Sequence, residues 1–483
     1  MSGYHSKMMK FPHAKTKIVA TIGPASDHVN TLERMIRSGM NIARLNLAHG
    51  KRDQWRQTIS RIRQASDNTK RRVAILADLP GPKLRIGKID PDPLVLKTGQ
   101  TFMLTTRPMI GDQSCVFVDF PQLTQAVRPG EAIFLNDGFI ELKVESVSND
   151  AVLCQVVVGG ELRSHKGINI PRMHVPLPAV TEHDLALLRF ACEQAIDAVS
   201  VSFVSMAEDI MQVREAARHL DASPFVIAKI ERAAALDNID AILQAADGIM
   251  VARGDLGVET SIETIAILQK HLIRKANQAA KPVITATQML ESMTEHNRPT
   301  RAEATDVANA VLDGTDAVML SEESALGKFP VDAVKMLGKI AHHSEKELNW
   351  FPSLTPKRSP DIGEVIALNV VTAVEQLNVH YVFTPTETGS TARRIGRFHL
   401  PSWIIALSPK PVTCQQLLFS YGVYPVYTGD DSRPWETIVR EWLRNQGIDS
   451  GPVVITQGPS RGHPGGTNRL EIILPETPHA HDA

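Results

Sequence analysis

Short β-rich runs alternate with helical patterns along most of this chain, and that alternation limits what it can fold into. Runs at 17–21, 42–46 and 74–78 open the series. After an interruption it resumes at 198–202, 226–230, 248–251, 283–286 and 317–320, which makes eight. Nearly all are apolar on both sides of the pleat, as strands are when both faces of a parallel sheet are covered. Helical spacing fills the gaps: Ile262, Ile265, Leu268, Leu272 and Ala276 recur on one face within 259–278. Thr300 and Glu303, after Pro299, form a capping-box signature that opens a helix to about Leu312. Eight strands, each followed by a helix, predict an α/β fold of the (β/α)8 TIM-barrel type. The phrases DAVSVSF at 197, DGIMVAR at 247 and DAVMLSE at 316 echo one another weakly, as a barrel repeat would.

The interruption has a different character. Between 81 and 179 the runs TFMLTT, CVFVDF, EAIFLN, FIELKVESV and VLCQVVV are punctuated by Gly, Asp and Asn, which predicts an all-β domain inserted after strand three. Pro80-Gly81-Pro82 at one end, and Pro171, Pro176 and Pro178 at the other, read as hinges on which it could close as a lid. The barrel then occupies 1–80 and 180–350. A Pro- and Ser-containing stretch at 351–362 ends it. Strands expected near 381–384, 403–407, 452–456 and 469–473 make 351–483 a separate α/β domain with an open sheet. The tail PETPHAHDA reads as disordered.

Composition excludes several function classes. The chain has 483 residues, enough for two to four domains, and a formal net charge of -1. No global field favours nucleic acid or a membrane surface, so a basic anion site must be local. No apolar run approaches the roughly 20 residues of a membrane helix. The first residues, MSGYHSKMMKFPHAK, lack the apolar stretch of a secretory signal. Four scattered cysteines with no C-x-x-C pair argue against a disulfide framework or a thiolate zinc site, and a cytoplasmic setting is expected.

In a barrel the chemistry sits at the carboxyl ends of the strands. Strand two ends in Arg44 and Asn46, then His49; strand three ends in Asp78, with Lys83 and Arg85 close behind. Strand four ends in Ser202, strand five carries Lys229 and Glu231, and strand six runs into Arg253, Gly254 and Asp255. Strand seven ends in Thr285 and Thr287, strand eight in Ser321 with Glu323. Glu231 and Asp255 form a carboxylate pair of the kind magnesium takes, together with substrate oxygens; the alternative is a pair of salt-bridged structural acids. Lys229 shares a face with Glu231 by alternation, and a lysine inside a barrel is costly unless it has a partner or a task. A metal beside a lysine suits polarising a carbonyl or stabilising an enolate. Arg44, Arg85 and Lys166 are candidates for phosphate contacts, although each alone is more often a surface cation. Gly254 removes a side chain where a backbone can approach a ligand.

These residues lie in phrases that resemble pyruvate kinase. They are TKIVATIGPAS (16–26), NIARLNLAHG (41–50), DLPGPKLR (78–85), HKGINIP (165–171), IAKIE (227–231), GIMVARGDLGVE (248–259), KPVITATQMLESM (281–293), the long run from Asn297 to Pro330, and TETGSTAR (386–393). The resemblance covers barrel, insert and third domain in order. It implies transfer of the phosphoryl group of phosphoenolpyruvate to ADP, giving pyruvate and ATP, with magnesium or manganese. It implies Glu231 and Asp255 as ligands of that metal. Lys229 is implied to neutralise the phosphoryl group and the enolate, and Arg44 and Arg85 to bind phosphate. The backbone from Ala252 through Arg253 to Gly254, beside Asp255, and the Thr287 hydroxyl are implied to receive the substrate carboxylate. Pro24, Asn46, His49 and Lys166, with Arg85, are implied on the nucleotide side, and Ser321 in a proton relay. Thr287 is also a candidate for orienting a water. A homotetramer is implied as well.

Two departures stand out. Many family members bind potassium through an Asn, a Ser, an Asp and a Thr; here Asn46 and Asp78 remain, but Ala48 and Leu79 replace the other two. Lys83 stands where potassium users have Glu, and a lysine ammonium is a fixed monovalent cation. The expectation is that Lys83 substitutes for potassium, which is then not required. Glu322, where the family has a small residue, has no functional reading.

The third domain carries TPTETGSTARR at 384–394, after a strand and opening a helix, a setting that cradles phosphate. GPSRGHPGG at 458–466 could close over it. The candidates are Thr384, Thr386, Glu387, Thr388, Gly389, Ser390, Thr391 and Arg393, with Gly462 and Gly465. The resemblance makes this an allosteric site for a sugar phosphate or nucleotide; the alternative is a plain capped turn. Two rival functions remain: a metal-dependent aldolase or lyase acting on a pyruvate enolate, and a catalytically silent metabolite-binding regulator.

Overall fold

The computed structural model describes residues 11–136, 138–171, 173–175, 177–348, 360–459 and 465–474. Pro176, Gly462, the first ten residues, most of the 351–362 stretch and the last nine residues lie outside these, so the readings made on them stay as expectations. Eight parallel strands close a barrel: β1 (Lys17–Thr21), β2 (Ile42–Asn46), β3 (Ala74–Leu79), β4 (Ala198–Val201), β5 (Phe225–Ile230), β6 (Gly248–Ala252), β7 (Val283–Ala286) and β8 (Ala317–Leu320). Each pairs with its neighbours in sequence, and β1 pairs with β8 to close the ring.

Alternation divides each strand between two environments. Ala20, Ala43, Leu45, Ile75, Ala77, Val199, Ala228 and Ile230 face outward and pack with the helices in the largest core. Val19, Ile42, Ala74, Leu76, Phe225, Ile227, Met250, Ile284 and Met319 face inward and fill the lower half of the barrel. Leu418 and Phe419 of the third domain join this inner cluster, and the Phe419 ring stacks on Phe225 at 5.3 Å. The barrel floor is therefore closed by a plug from another domain. Continuing the same alternation upward puts Arg44, Asp78, Ser200, Lys229 and Glu231 on the inner face, at the carboxyl end.

The Thr300 cap forms as expected: its hydroxyl accepts from the Glu303 amide, the Glu303 carboxylate accepts in return, and the helix runs Arg301–Leu312. The expected helix at 259–278 is broken instead. A helix at Arg253–Glu259 ends early, a 3-10 turn follows, and the main helix is Ile265–Gln278. The insert holds a six-stranded sheet and a two-stranded one around its own apolar core. Among its described residues it is all β except for the one-turn helix Leu123–Ala126.

Among the described residues the third domain has five strands in an open sheet. The expected four are β9 (Tyr381–Pro385), β10 (Trp403–Ser408), β12 (Val453–Gln457) and β13 (Arg469–Ile473); β11 (Val423–Tyr427) is additional. The order is β11-β10-β9-β12-β13, with only β13 antiparallel. No described helix is long and apolar enough to cross a membrane.

His399 lies where this domain meets the barrel. It is buried, its ring lies 4.3 Å from Tyr421, and Nδ1 is 3.1 Å from the Arg397 carbonyl. Burial pushes the imidazole down to about 4. Between that value and the usual ~6.5 the unfolded chain binds the extra proton, so stability falls as pH falls through this window. We expect a loss of about 3 kcal/mol from this residue between pH 6.5 and 4. His399→Asn, which tolerates the left-handed φ of 52 at this position, should lose less stability over that window than the parent in urea denaturation. Parallel pH profiles for the two proteins would exclude His399 as the cause.

Candidate active site

Asp78 holds the mouth of the barrel together. It is 2% exposed. One carboxylate oxygen accepts from the Arg44 Nε at 3.0 Å and from a second Arg44 nitrogen; the other accepts from the Ser200 hydroxyl at 2.6 Å. Lys229 Nζ lies 3.4 Å away. Burial alone would raise this carboxyl, but the Lys229 and Arg44 cations outweigh it and hold it at about 2.

Lys229 completes the network. Its Nζ reaches Glu231 at 2.9 Å and donates to the Ser202 hydroxyl at 2.7 Å. Burial would lower its pKa, yet the Asp78 and Glu231 charges raise it, so it stays an ammonium. Ser202 in turn donates to the Leu79 carbonyl. A side chain at Gly81 would strike Ser202, since a Cβ there would come within 2.9 Å of the serine Cβ, and its φ is +66. The hinge glycine is thus required by the lysine's own support.

Glu231 is 1% exposed, and its second oxygen accepts from the Phe203 amide at 2.7 Å. Burial and the nearby charge of Asp255 push its pKa up, against the pull of Lys229. A divalent cation between these two acids would relieve that penalty, so the pair fits such an ion. No group of three or more His, Cys, Asp or Glu placed to hold a metal ion occurs among the described residues. Two carboxylates completed by substrate oxygens are what magnesium accepts.

Thr21 enters the site unannounced by the sequence. Its hydroxyl accepts from Arg44 at 2.8 Å and donates to the Leu320 carbonyl, which ties β1 to β8 below the guanidinium. Alternation could have found it, because Val19 and Thr21 share the inner face.

Alternation also sorts the residues near β6 and β7. Ala252 ends β6. Thr285 points outward and bonds to Thr315 at 2.9 Å. Arg253 also faces away from the mouth, with its guanidinium held by Asp306, Gln269 and the carbonyls of Ala286 and Thr287. Only its backbone remains near Gly254. Thr287 breaks the pattern. Its φ is +69, a strained value for a β-branched residue, and its hydroxyl accepts from the Gly254 amide at 2.8 Å. Ser321 follows β8, and its amide donates to Glu323, whose other oxygen accepts from Leu290.

Other candidates gather elsewhere. Arg85 donates to the His165 carbonyl at 2.9 Å, and the Lys166 carbonyl accepts from Ile86, so both cations sit where the two stalks of the insert cross. Neither shares a hydrogen bond or ion pair with the Arg44–Asp78–Lys229–Glu231 network among the described residues. Pro24 and His49 are exposed in loops after β1 and β2. Asn46 accepts from the Ala48 amide at 3.1 Å. Lys83 is exposed and lines a narrow cleft with Phe203, Arg232 and Glu259, whose carboxyl burial pushes to about 7.

In the third domain, Thr386, Glu387, Thr388, Ser390, Thr391 and Gly465 line a cavity of about 460 Å³ with Arg433, Trp435 and Arg469. Gly389 has a φ of +80 and begins the helix Ser390–Gly396. Thr384 is buried and is not among the residues that line the cavity. Arg393 turns away from it: its guanidinium donates to the Thr388 carbonyl and lies 5.8 Å over the Phe225 ring.

Comparison with known proteins gives a consistent picture. Residues 13–334 match the family model for the pyruvate kinase barrel domain, and 364–473 that for the pyruvate kinase alpha/beta domain. A pyruvate kinase of Thermococcus litoralis is 47% identical over 96% of this chain and 99% of its own length. One from Geobacillus stearothermophilus is 41% identical over 95% of this chain and 80% of its own. The crystal structure of a pyruvate kinase from Cryptosporidium parvum superposes with a TM-score of 0.89 at 34% identity, covering 96% of this chain and 97% of that one.

Removing Asp78 would leave Arg44 and Lys229 buried and facing each other. Asp78→Ala should destabilise the barrel by about 3 to 5 kcal/mol, the usual consequence of orphaning a buried charge. Chemical denaturation measures this; a loss below about 1 kcal/mol, the range of exposed ion pairs, would refute the central role given to Asp78.

Proposed function

The chain belongs to the pyruvate kinase family and is a phosphotransferase, and we propose that it moves the phosphoryl group of phosphoenolpyruvate to ADP at the network around Lys229. The supporting observation is the buried Lys229 ammonium, 2.9 Å from Glu231 and 3.4 Å from Asp78 at the barrel mouth. Neither an aldolase nor a silent regulator accounts for the family membership together with this intact network.

Glu231 and Asp255 would hold a divalent cation, magnesium or manganese, which when bound supplies charge neutralisation for the phosphoryl group and the enolate. Arg44 and Lys229 bind and orient the substrate phosphate. Asp78 serves both cations without contacting substrate, because its oxygens are already engaged. The backbone from Ala252 to Gly254 and the Thr287 hydroxyl receive the substrate carboxylate. Transfer breaks the bond between the enol oxygen and phosphorus as an ADP β-phosphate oxygen bonds to that phosphorus. The pyruvate enolate left behind is neutralised by Lys229 until C3 takes a proton, with Thr287 and Ser321 proposed to position the donor. Arg85, Lys166, Pro24, Asn46 and His49 would contact the nucleotide. Positioning and neutralisation carry such a transfer, with little covalent help from the protein.

Potassium is not required in this reading. Ala48 and Leu79 offer no side-chain oxygen, Asn46 is used by its own turn, and both Asp78 oxygens are taken. Lys83, on the stalk leading into the insert, would supply the monovalent charge. The cavity beside Thr386 and Ser390 would take a sugar phosphate or nucleotide as effector. A cytoplasmic homotetramer completes the proposal.

In a coupled assay with phosphoenolpyruvate, ADP and magnesium, Lys229→Met and Glu231→Ala should each lose about 10²–10³-fold or more in turnover, the scale for removing one preorganised electrostatic group. Undiminished turnover in either would overturn the assignment. Replacing potassium by tetramethylammonium should leave the rate of the parent protein nearly unchanged, whereas Lys83→Glu should slow the enzyme unless potassium is returned. A large potassium requirement in the parent would defeat the role given to Lys83.

A further inference from the structure

A second cavity lies at the opposite end of the barrel from the mouth. It has about 520 Å³, within the usual range of small-molecule sites. The segment Phe11–Thr16, the end of the helix Val29–Ser38 and the helix Pro330–Ser344 enclose it. Arg37, Arg71, Lys335 and Lys339 line it, and no acidic side chain does so among the described residues.

The two lysines are not explained by protein partners. Lys335 and Lys339 are one turn apart on the same helix, a like-charge spacing that destabilises a helix. Both are exposed, and neither has an ion pair among the described residues. Arg71 caps the carbonyls of Ile36 and Arg37 at 3.3 Å. Among the described residues, Arg37 alone of the four has an acidic partner, Glu33 at 3.0 Å on its own helix. An independent observation points the same way. Thr16 lines the cavity, is 1% exposed, and its hydroxyl has no hydrogen-bond partner among the described residues. A buried hydroxyl without a partner is costly and uncommon.

The walls are mixed. Phe11 and Ile18 supply an apolar side. Phe11 belongs to an aromatic cluster of the third domain, with ring centres 5.4 Å from Trp403 and 5.1 Å from Tyr424. Gly338 keeps the helix close to β1, since a Cβ there would come within 3.3 Å of Ile18 Cδ1.

We propose that this cavity is a binding site for an organic phosphate, separate from the barrel mouth and from the third-domain cavity. The phosphate lies between Lys335, Lys339 and Arg71. A ligand oxygen accepts from the Thr16 hydroxyl. The organic part lies against Phe11 and Ile18. Lysines serve as point charges for phosphate, and the arginine adds a planar donor.

The test uses the full chain and 1-naphthyl phosphate as probe, followed by calorimetry. Other anion-binding sites contribute equally to the parent protein and to the variants, so the difference reports this cavity. Lys335→Glu/Lys339→Glu should weaken the probe's binding to this site by roughly tenfold or more, while leaving the phosphotransfer rate unchanged, which shows that the variant is folded. Identical isotherms for parent and double variant would overturn the site. Thr16→Val, nearly isosteric, should lower the affinity severalfold; unchanged affinity would overturn the contact with Thr16. Inorganic phosphate should bind this site less tightly than the naphthyl ester. Equal affinities would overturn the assignment to an organic ligand.

Discussion

The arrangement at the barrel mouth depends on one buried carboxylate. Asp78 holds Arg44 by two nitrogens and faces Lys229 at 3.4 Å. Without it, two cations would share a nearly dry pocket. With it, Arg44 and Lys229 balance Asp78 and Glu231, and Asp255 lies just beyond. That balance explains why strongly charged groups persist inside a barrel. It also separates their duties. Asp78 is fully occupied, so it can position but not bind. Glu231 is buried beside the further negative charge of Asp255, which leaves that pair suited to a cation. The preorganised charges need not move far when substrate arrives, and fixed charges in a water-poor site act strongly.

Much of this was legible because strand alternation is rigid. Phe225, Ile227, Lys229 and Glu231 fall on one face by counting alone, and so do Leu76 and Asp78. The eight strands were readable within a residue or so because each is apolar on both faces. Alternation fails where the backbone leaves the strand region. Thr287 should have followed Thr285 outward, but a φ of +69 returns its hydroxyl toward Gly254. Nothing in its side chain announces that turn. Arg253 shows the opposite case. It stands among candidate residues in sequence, yet the same alternation sends its guanidinium to Asp306.

The third domain was harder to read. β11 was missed because Pro425 interrupts the run Val423–Tyr427, and proline argues against a central strand. The strand is in fact at the edge of its sheet, where proline is tolerated. The contact of Phe419 with Phe225 spans nearly two hundred residues and leaves no local pattern in sequence. The cavity beside Ser390 was legible in its hydroxyl-rich loop, but the direction of Arg393 was not, because it is set by packing against the barrel.

That packing bears on the site. β5 begins at Phe225 and carries Lys229 four residues on, about 13 Å along the strand at ~3.3 Å per residue. At its lower end Phe225 is stacked by Phe419 and covered by the Arg393 guanidinium. At its upper end Lys229 is fixed by Asp78, Glu231 and Ser202. A strand held at both ends cannot slide or rotate without breaking one set of contacts. The apolar plug from the third domain therefore contributes to the precision of the charged mouth. The same plug joins a loop that lines the third-domain cavity to the strand that bears the central lysine, because Arg393 bonds to Thr388 of that loop while resting on Phe225. The barrel can keep its polar half preorganised because its apolar half is closed from below.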